Sequence, residues 1–477
     1  MAKFSLSNLT FFFLFVSLAS FPFHSARNIN QHIQTVSVDQ LRPPRECTAG
    51  KGLQGKTTLK LVDRHGPCAP FHQKTGSADD GKRDSEELLR QDQQRVDWIH
   101  SRTASLPLSP KKNIEDLLLP EATTQVPAQT GSSLGSGNFI VDVGLGTPKQ
   151  AFNLVFDTGS DLSWVQCDPC LISCYQQQGP RFSPSASSTY RNVPCSAAEC
   201  AEAKLESGLN GCSTSGCIYG ITYGDNSLSV GFLSQDTLTI TPNDVVPGFT
   251  FGCGHRNQGL FGMTGGMFGL GRSKLSVPSQ TANKFGGVFA YCLPTASVPG
   301  SLAFGPDSSY SSAQFTPLLT GSQPFYYLTI TGISVGGQLL PVSSSIFTTS
   351  GTIIDSGTVI TRLPPTAYSA LRSAFRTFMA KYPLSQPSLI LDTCYDLSNY
   401  TTVQYPLIEF HFQGGTNVLL DFYNIFFVPS SSQACLAFAP TSSDSSLSIF
   451  GNRQQRKILV VHDVPNARIG FKQGACS

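Results

Sequence analysis

The sequence predicts an all-β fold of two similar lobes, and three observations support this prediction. Charged residues make up only 13% of the 477 residues, which suits a β-rich protein whose surface is covered by hydroxyl groups. From about residue 138, short runs rich in β-branched residues alternate with turns, as at 139–146, 151–157, 233–240 and 326–337. The segments NLVFDTGS (153–160) and TIIDSGT (352–358) resemble each other, which indicates two related halves.

The first 130 residues differ from the rest of the chain. Lys3 precedes an apolar run at 9–23 that suits the core of a signal peptide, so we expect a signal peptide at 1–25, cleaved between about 20 and 27. An N-terminal membrane anchor is the alternative interpretation of this apolar run. The charged stretch at 26–130 is expected to be a propeptide, with a small accessory domain as the alternative. The body is then expected to form an N-terminal lobe at 131–320 and a C-terminal lobe at 321–477.

Two helices are predicted from apolar periodicity. The first spans 84–100 and begins at an expected N-cap, Asp84. Its apolar stripe consists of Leu88, Leu89, Val96 and Ile99. A Pro-, Thr-, Gly- and Ser-rich linker at 120–137 follows and is expected to be accessible to proteases. The second helix spans 364–382, and its apolar face, which indicates a packing role, consists of Leu371, Phe375, Phe378 and Tyr382.

The 14 cysteines are consistent with export from the cell. Cys47 and Cys68 precede residue 130, which leaves an even 12 in the body, seven of them in an insert at 167–217. An even set behind a signal peptide predicts disulfides. A zinc ribbon is the rival interpretation for the first three cysteines of the insert, but it lacks a second C-x-x-C pair and a nearby histidine.

Charge and motifs exclude several classes of function. Residues 1–130 carry a net charge of +3 and residues 131–477 a net charge of −1, so no basic surface for nucleic acid is expected. No later apolar run could span a bilayer, and the C-terminus has no apolar tail, so no membrane anchor is expected. The glycine-rich stretch 252–271 lacks the Walker and dinucleotide patterns, and His255, His411 and His462 lack metal spacing. We therefore expect no cofactor and no metal site. The protein is also expected to be a monomer.

The two Asp-(Thr/Ser)-Gly segments are the candidate chemical site. In each, an apolar strand ends at an aspartate, Asp157 or Asp355, and the next glycine but one, Gly159 or Gly357, allows a tight loop whose N–H groups reach the carboxylate. Two carboxylates held together share one proton, so one can act on a water as general base while the other protonates a carbonyl. The two carboxyl groups then titrate as a coupled pair, so neither of the two pKa values can be assigned to one aspartate alone.

Hydroxyl side chains in the same segments are expected to support the pair. Ser160 and Thr358 are placed to donate hydrogen bonds to the outer carboxylate oxygens, and Thr158 and Ser356 to bond across to the opposite loop. A single match to this motif arises easily by chance, whereas two matches after apolar strands are specific. A phospho-acceptor aspartate is the competing use, but the lysine expected inside that motif is missing.

The body resembles the pepsin-like aspartic protease family, in particular its plant nepenthesin-type branch, also known as chloroplast-nucleoid-DNA-binding-like proteases. The segments that carry the resemblance are VFDTGSDLSWVQC (155–167), ITYGDNSLSVGFLSQDTLT (221–239), MFGLGRSKLS (267–276), IIDSGTVITRLPP (353–365) and IFGNRQQRKILVVHDVPNARIGF (449–471). LKLVDRHGPCAP (59–70) also resembles propeptides of that branch. The resemblance implies two six-stranded, barrel-like lobes around a cleft, with few short helices.

The resemblance also implies roles for individual residues. Tyr223, with Gly224 and Asp225, matches the mobile flap that closes over bound peptide, and Trp164 matches the tryptophan that hydrogen-bonds its tyrosine. Asp161 stands where many members carry Ser, so an extra carboxylate lies near the pair.

Disulfide pairings are likewise implied by the resemblance alone. They are Cys167–Cys170, Cys174–Cys253, Cys195–Cys217, Cys200–Cys212, Cys292–Cys476 and Cys394–Cys435. Separately, Asn399-Tyr400-Thr401 is a glycosylation sequon.

The resulting expectation is a secreted aspartic endopeptidase, made as a zymogen, that hydrolyses peptide bonds of proteins or peptides at acidic pH. The alternative is a catalytically silent binding or inhibitor protein of the same fold. A propeptide base, Lys60 or Arg64, is expected to pair with the two aspartates at neutral pH. The apoplast is the expected compartment, ahead of vacuole and plastid.

Overall fold

A computed structural model of the chain describes residues 32–41, 46–48, 50, 53, 57–70, 78–103, 139–207, 209–223, 227–295, 297–321, 324–349, 351–430 and 432–476. The expected signal peptide at 1–25 and linker at 120–137 lie outside the described residues. No helix in the described ranges is long and apolar enough to cross a membrane.

Short β-strands form most of the regular structure. Those before residue 320 are β1 (Ile33–Ser37), β2 (Thr58–Asp63), β3 (Phe139–Leu145), β4 (Gln150–Asp157), β5 (Trp164–Gln166), β6 (Arg191–Asn192), β7 (Leu209–Ser213), β8 (Gly216–Thr222), β9 (Leu228–Thr241), β10 (Asp244–Gln258), β11 (Gly266–Gly269), β12 (Val288–Cys292), β13 (Gly300–Phe304) and β14 (Gln314–Pro317). Those after it are β15 (Tyr326–Leu328), β16 (Ile330–Val335), β17 (Gln338–Leu339), β18 (Thr352–Ile354), β19 (Thr361–Leu363), β20 (Leu384–Ser385), β21 (Cys394–Asp396), β22 (Thr402–Pro406), β23 (Ile408–Phe412), β24 (Thr416–Leu420), β25 (Phe426–Ser430), β26 (Gln433–Leu436), β27 (Phe438–Pro440), β28 (Ser448–Phe450), β29 (Ile458–Asp463) and β30 (Arg468–Gln473).

The helices are few and mostly one turn long. They are α1 (Val38–Leu41), α2 (Ala78–Thr103), α3 (Ala198–Ser207), α4 (Val277–Gln280), α5 (Ala282–Phe285), α6 (Ser345–Thr348), α7 (Pro365–Phe378), α8 (Phe422–Ile425) and α9 (Asn452–Gln455), with 3₁₀ turns at Pro184–Ala186 and Ser308–Ser312.

One large sheet joins the two halves of the body. In it β12, from the first half, pairs antiparallel with β29, from the second, and β30 continues the sheet to β14. The second half builds three further sheets, with strand orders β15-β18-β28-β19-β27, β17-β16-β23-β24 and β20-β21-β26-β25. The predicted two-lobed, mainly β fold is confirmed.

Segments before residue 104 are integral to this architecture. Strand β2 lies between β13 and β3 in the large sheet, and the long helix α2 packs on the second half. The predicted apolar stripe of α2 makes that contact: Leu89 packs with Val359 and Ile360, and Val96 and Ile99 pack with Ile353 and Ile449.

The predicted bounds of both helices needed correction. Helix α2 begins at Ala78, so Asp84 lies inside the helix and is not its N-cap; the interior Gly81 costs about 1 kcal/mol of helix propensity, which tertiary packing of the helix offsets. Helix α7 ends at Phe378, and Tyr382 is buried beyond its end. The run 326–337 is two strands, because β15 and β16 pair with different partners.

Four of the expected disulfide pairings are wrong. The structure contains Cys167–Cys253 and Cys170–Cys174 in place of Cys167–Cys170 and Cys174–Cys253. The reason is that β5 runs parallel to β10, with Val165 opposite Cys253, so the end of β5 brings Cys167 to that strand. The remaining loop cysteines then pair locally.

The other two wrong pairings involve the β7–β8 hairpin. Cys195–Cys212 and Cys200–Cys217 replace the expected Cys195–Cys217 and Cys200–Cys212. Cys212 and Cys217 lie directly opposite each other in the hairpin. The sequence therefore does not decide which of them bonds to Cys195 and which to Cys200. The buried core residue Cys200, on α3, meets the equally buried Cys217. The expected pairs Cys292–Cys476 and Cys394–Cys435 are present, and Cys47–Cys68 is a further one.

Candidate active site

Two equivalent strand arrangements carry Asp157 and Asp355 to the centre of the molecule. Strand β4 ends at Asp157 and runs parallel to β11, where Gly269 lies opposite it. Strand β18 runs parallel to β28 in the second half, and the next residue, Asp355, donates its N–H to Phe450 O at 3.1 Å. The weak repeat in the sequence therefore corresponds to the same local structure in both halves. Both aspartates are fully buried.

The loop after each aspartate turns its backbone toward the carboxylate. Gly159 N donates to Asp157 Oδ1 at 3.0 Å, and Gly357 N donates to Asp355 Oδ1 at 3.1 Å. A Cβ at position 159 would lie 2.7 Å from Asp355 Oδ1, so only glycine permits this approach.

The two loops bond directly to each other. Thr158 N donates to Ser356 Oγ at 3.0 Å, and Ser356 N donates to Thr158 Oγ1 at 2.9 Å. The two hydroxyl oxygens are also 3.2 Å apart. This reciprocal pair fixes the relative position of the two carboxylates.

The outer hydroxyls differ between the loops. Thr358 Oγ1 donates to Asp355 Oδ2 at 2.6 Å, as expected. The corresponding bond from Ser160 is not formed: its Oγ is buried and, among the described residues, has no hydrogen-bond partner. The reason is that Asp157 Oδ2 instead accepts a bond of 3.3 Å from a guanidinium, that of Arg95.

Arg95 of helix α2 binds both carboxylates at once. Its Nη2 lies 2.8 Å from Asp157 Oδ1 and 2.8 Å from Asp355 Oδ1, and its Nε lies 2.9 Å from Asp355 Oδ2. The Arg95 side chain is only 4% exposed. A single nitrogen atom therefore bridges the two inner oxygens, at the distance that a hydrogen-bonded water would have.

The charges at this centre respond to burial and to one another. Burial raises the pKa of Asp157, aided by the neighbouring Asp355 carboxylate and opposed by Arg95. Burial by itself would also raise the pKa of Asp355, but the charge of Arg95 and the hydrogen bonds from Arg95 and Thr358 hold this pKa below its usual value. Burial disfavours the Arg95 charge, and the two carboxylates more than offset this, so the pKa of Arg95 is raised.

Arg95 replaces the residues that were expected to pair with the aspartates. Lys60 is exposed on β2, and Arg64 donates to the carbonyl oxygens of Leu260 and Phe261, so the Lys60 and Arg64 prediction is wrong. Both lie in the strand β2 region, which is built into the large sheet and not into the cleft. The sequence did contain a signal for Arg95, because it falls on the apolar face of α2 next to Val96.

Two of the expected flap residues, Trp164 and Tyr223, contact each other directly. Trp164 Nε1 donates to Tyr223 Oη at 2.8 Å, and both rings pack edge-on against Phe261 at 4.8 Å and 5.5 Å. Tyr223 N donates to Ser227 O, which closes the hairpin between β8 and β9. Gly224 and Asp225 lie outside the described residues.

Asp161 is a further buried carboxyl beside the first loop. Its Oδ1 accepts a hydrogen bond from Ser273 N at 2.9 Å, and burial raises its pKa to about 6. Farther away, Asn399 is exposed in the turn between β21 and β22. In the described part of the chain no group of three His, Cys, Asp or Glu could hold a metal ion.

Comparisons with known proteins show which family the chain belongs to. Family models described as xylanase inhibitor N-terminal and C-terminal match residues 139–306 and 325–473. An aspartyl protease family protein of Arabidopsis thaliana is 48% identical over 93% of both chains, and nepenthesin-2 of Nepenthes gracilis is 37% identical over 72% of this chain and 78% of its own. The crystal structure of basic 7S globulin from soybean shares the fold, with a TM-score of 0.57 and 22% identity over 72% of this chain and 95% of the globulin. The chain therefore belongs to the pepsin-like aspartic protease family, in its plant nepenthesin-type branch, and is by that membership an aspartic-type endopeptidase.

Proposed function

We propose that the chain hydrolyses peptide bonds at acidic pH through a water held between Asp157 and Asp355. The observation that carries this proposal is the position of Arg95 Nη2, 2.8 Å from the inner oxygen of each carboxylate. A water in that place could hydrogen-bond to both carboxylates once Arg95 is withdrawn.

The chemistry then follows from a shared proton. One ionised carboxylate takes a proton from the water as it attacks the amide carbonyl carbon, and the protonated partner donates to the carbonyl oxygen. The bonds between Thr158 and Ser356 keep the two carboxylates in register through this exchange. Tyr223, held by Trp164, covers the cleft as the flap residue.

We further propose that the chain is made as a secreted zymogen, with a signal peptide at 1–25 and a propeptide at 26–130. The lobes at 131–320 and 321–477 form the active enzyme. Helix α2, within the propeptide, carries Arg95 to the aspartates and so takes the place of the water. The seven disulfides fit an oxidising compartment such as the apoplast.

Acid is the expected trigger for release. Because docking holds the pKa of Asp355 below its usual value, its pairing with Arg95 is complete above the usual pKa and is lost as pH falls through the lowered one. The raised pKa of Asp157 means that the pair takes up its first proton at milder acidity. Each proton removes part of the attraction that holds α2.

The test compares the full chain with its Asp157→Asn and Asp355→Asn variants. Acidified wild-type chain should gain a new N-terminus near residue 130 and hydrolyse peptides in a pepstatin-sensitive manner, and either variant should lose that hydrolysis. Activity that persists in a variant would refute the catalytic assignment. A fully active, uncleaved chain would refute the propeptide.

The alternative, a silent binding or inhibitor protein, draws on the description of the matching family models as xylanase inhibitor. Both aspartates and both cross-loop hydroxyls are in place, which favours an enzyme. A processed chain that binds a xylanase and hydrolyses no peptide would support the alternative.

A further inference from the structure

Helix α2 is held to the catalytic body at a second charged point besides Arg95. Asp92, one turn earlier on α2, is 3% exposed, and its carboxylate accepts hydrogen bonds from Val359 N and from Ile360 N, the latter at 3.2 Å. It also accepts a bond of 2.9 Å from Arg362 Nη2, whose side chain is fully buried. Three donors thus converge on one carboxylate.

All three donors belong to the catalytic body. Val359 and Ile360 follow directly after the second Asp-Ser-Gly-Thr loop, and Arg362 lies in β19. The Arg362 guanidinium is oriented by its own lobe, because Nη1 donates to Ile360 O at 2.9 Å. The donor group would therefore stay in place when α2 leaves.

The negative charge at this point comes from α2. Besides Asp92, Asp97 of α2 also attracts the Arg362 guanidinium electrostatically. Gln93 Oε1, on the same helix, accepts a hydrogen bond of 3.3 Å from Arg362 Nη2. Arg362 Nε has no hydrogen-bond partner in the described ranges. Removal of α2 would leave a pre-oriented guanidinium and two backbone N–H groups without their carboxylate ligand.

We infer that Val359 N, Ile360 N and the Arg362 guanidinium form a subsite of the active protease that binds a carboxylate of the substrate, normally an Asp or Glu side chain. Asp92 occupies this subsite in the uncleaved chain. The inference rests on the proposed function, since it concerns substrate bound in the same cleft.

The position of the subsite relative to the cleaved bond can be bounded. Asp92 and Arg95 are three residues apart on a helix, a rise of about 4.5 Å. An extended peptide covers about 3.3 Å per residue, so the acidic residue should lie about one to three residues from the scissile bond. The preference should fade as pH falls below about 4, where a free glutamate becomes protonated.

The test measures kcat/KM of acid-processed enzyme on peptide pairs that differ only by Glu or Gln at each position within three residues of the cleaved bond. At pH 5 the wild type should prefer Glu at one position by about 10- to 100-fold, because hydrogen bonds to a charged group in a buried site are strong. In Arg362→Gln enzyme this Glu-to-Gln ratio should fall to about one, because the cation that distinguishes a charged side chain from a neutral one is gone. Arg362→Lys should retain part of the preference.

Two precautions keep the result decisive. Arg362→Gln alone leaves Asp92 buried without its cation, so the Asp92→Asn/Arg362→Gln chain should be made as well; processing removes position 92, and the two mature enzymes are then identical. Arg372→Gln is the matched control, because Arg372 lies on α7 with a side chain 33% exposed and pairs with Asp392. It should keep the Glu preference.

Further peptides ending at the preferred position, as free acid or amide, distinguish a side-chain carboxylate from a chain terminus. A preference for the free acid alone would overturn the assignment to Asp and Glu side chains. A Glu-to-Gln ratio near one in wild type, or one unchanged by Arg362→Gln, would overturn the subsite while hydrolysis itself persists. Loss of all hydrolysis in wild type would instead refute the proposed function.

Discussion

His462 should make the folded protein lose stability in acid. It lies in β29, fully buried, with its ring stacked on Phe289 at 4.3 Å and edge-on to Tyr326 at 4.5 Å. Neither ring nitrogen has a hydrogen-bond partner within the described part of the chain. Burial lowers its pKa to about 3, from 6.5.

The size of the effect follows from proton linkage. Above pH 6.5 the ring is neutral in both the folded and the unfolded chain, so no free energy is lost. As pH falls from 6.5 toward 3, the unfolded chain binds a proton that the folded chain refuses, and folding loses stability. The full span corresponds to about 5 kcal/mol, and the part between pH 7 and 4 to about 3 kcal/mol.

The assay is urea unfolding of wild type and His462→Phe at pH 7, 5.5 and 4, both in an Asp157→Asn background that prevents self-digestion. Any change in packing that phenylalanine introduces is the same at each pH, so the variant should gain about 3 kcal/mol relative to wild type by pH 4. His411→Gln is the control, since His411 is partly exposed and hydrogen-bonds to Ser334 and Asn417. A constant difference between wild type and His462→Phe across this range would refute the reasoning.

Three further predictions concern the first half of the body. Burial raises the pKa of Asp161 to about 6, so the unfolded chain ionises this carboxyl before the folded chain does, and folding loses stability as pH rises from about 4 to 6. Asp161→Asn should therefore match wild type below pH 4 and be more stable in urea at pH 7, by up to about 3 kcal/mol; equal stability at pH 7 would contradict this. Trp164→Phe removes the bond to Tyr223 and should lower kcat/KM of the processed enzyme about fivefold, with an unchanged value as the opposing result. Peptide mapping without reduction should link Cys167 to Cys253 and Cys170 to Cys174, and recovery of Cys167 linked to Cys170 would count against the strand pairing described above.

The sequence was sufficient for the fold because its signals there are local. Each aspartate is preceded by an apolar strand and followed by the glycine that its tight loop requires, so Asp157 and Asp355 could be found without knowledge of distant contacts. The strand runs likewise follow from alternation and turn residues.

Features that depend on distant contacts were predicted less well. The pairing of Cys167 with Cys253 depends on which strands are neighbours, and the choice between Cys212 and Cys217 depends on the side of a hairpin to which α3 packs. The bond expected from Ser160 is absent because Arg95 reaches Asp157 from 62 residues away in sequence. Lys60 was a reasonable candidate by charge alone, but strand pairing keeps it in the sheet.

The central claim is that Arg95 blocks a pair of carboxylates that would otherwise hold a catalytic water. The pH at which hydrolysis first appears in the full chain tests this claim. Arg95→Met is compared with Arg90→Met, because Arg90 is 58% exposed on the same helix and pairs with Glu87 one turn away. Charged hydrogen bonds contribute about 1.5–3 kcal/mol, so Arg95→Met should activate about one to two pH units higher than wild type, and Arg90→Met at the wild-type pH. An unchanged onset in Arg95→Met would contradict the account.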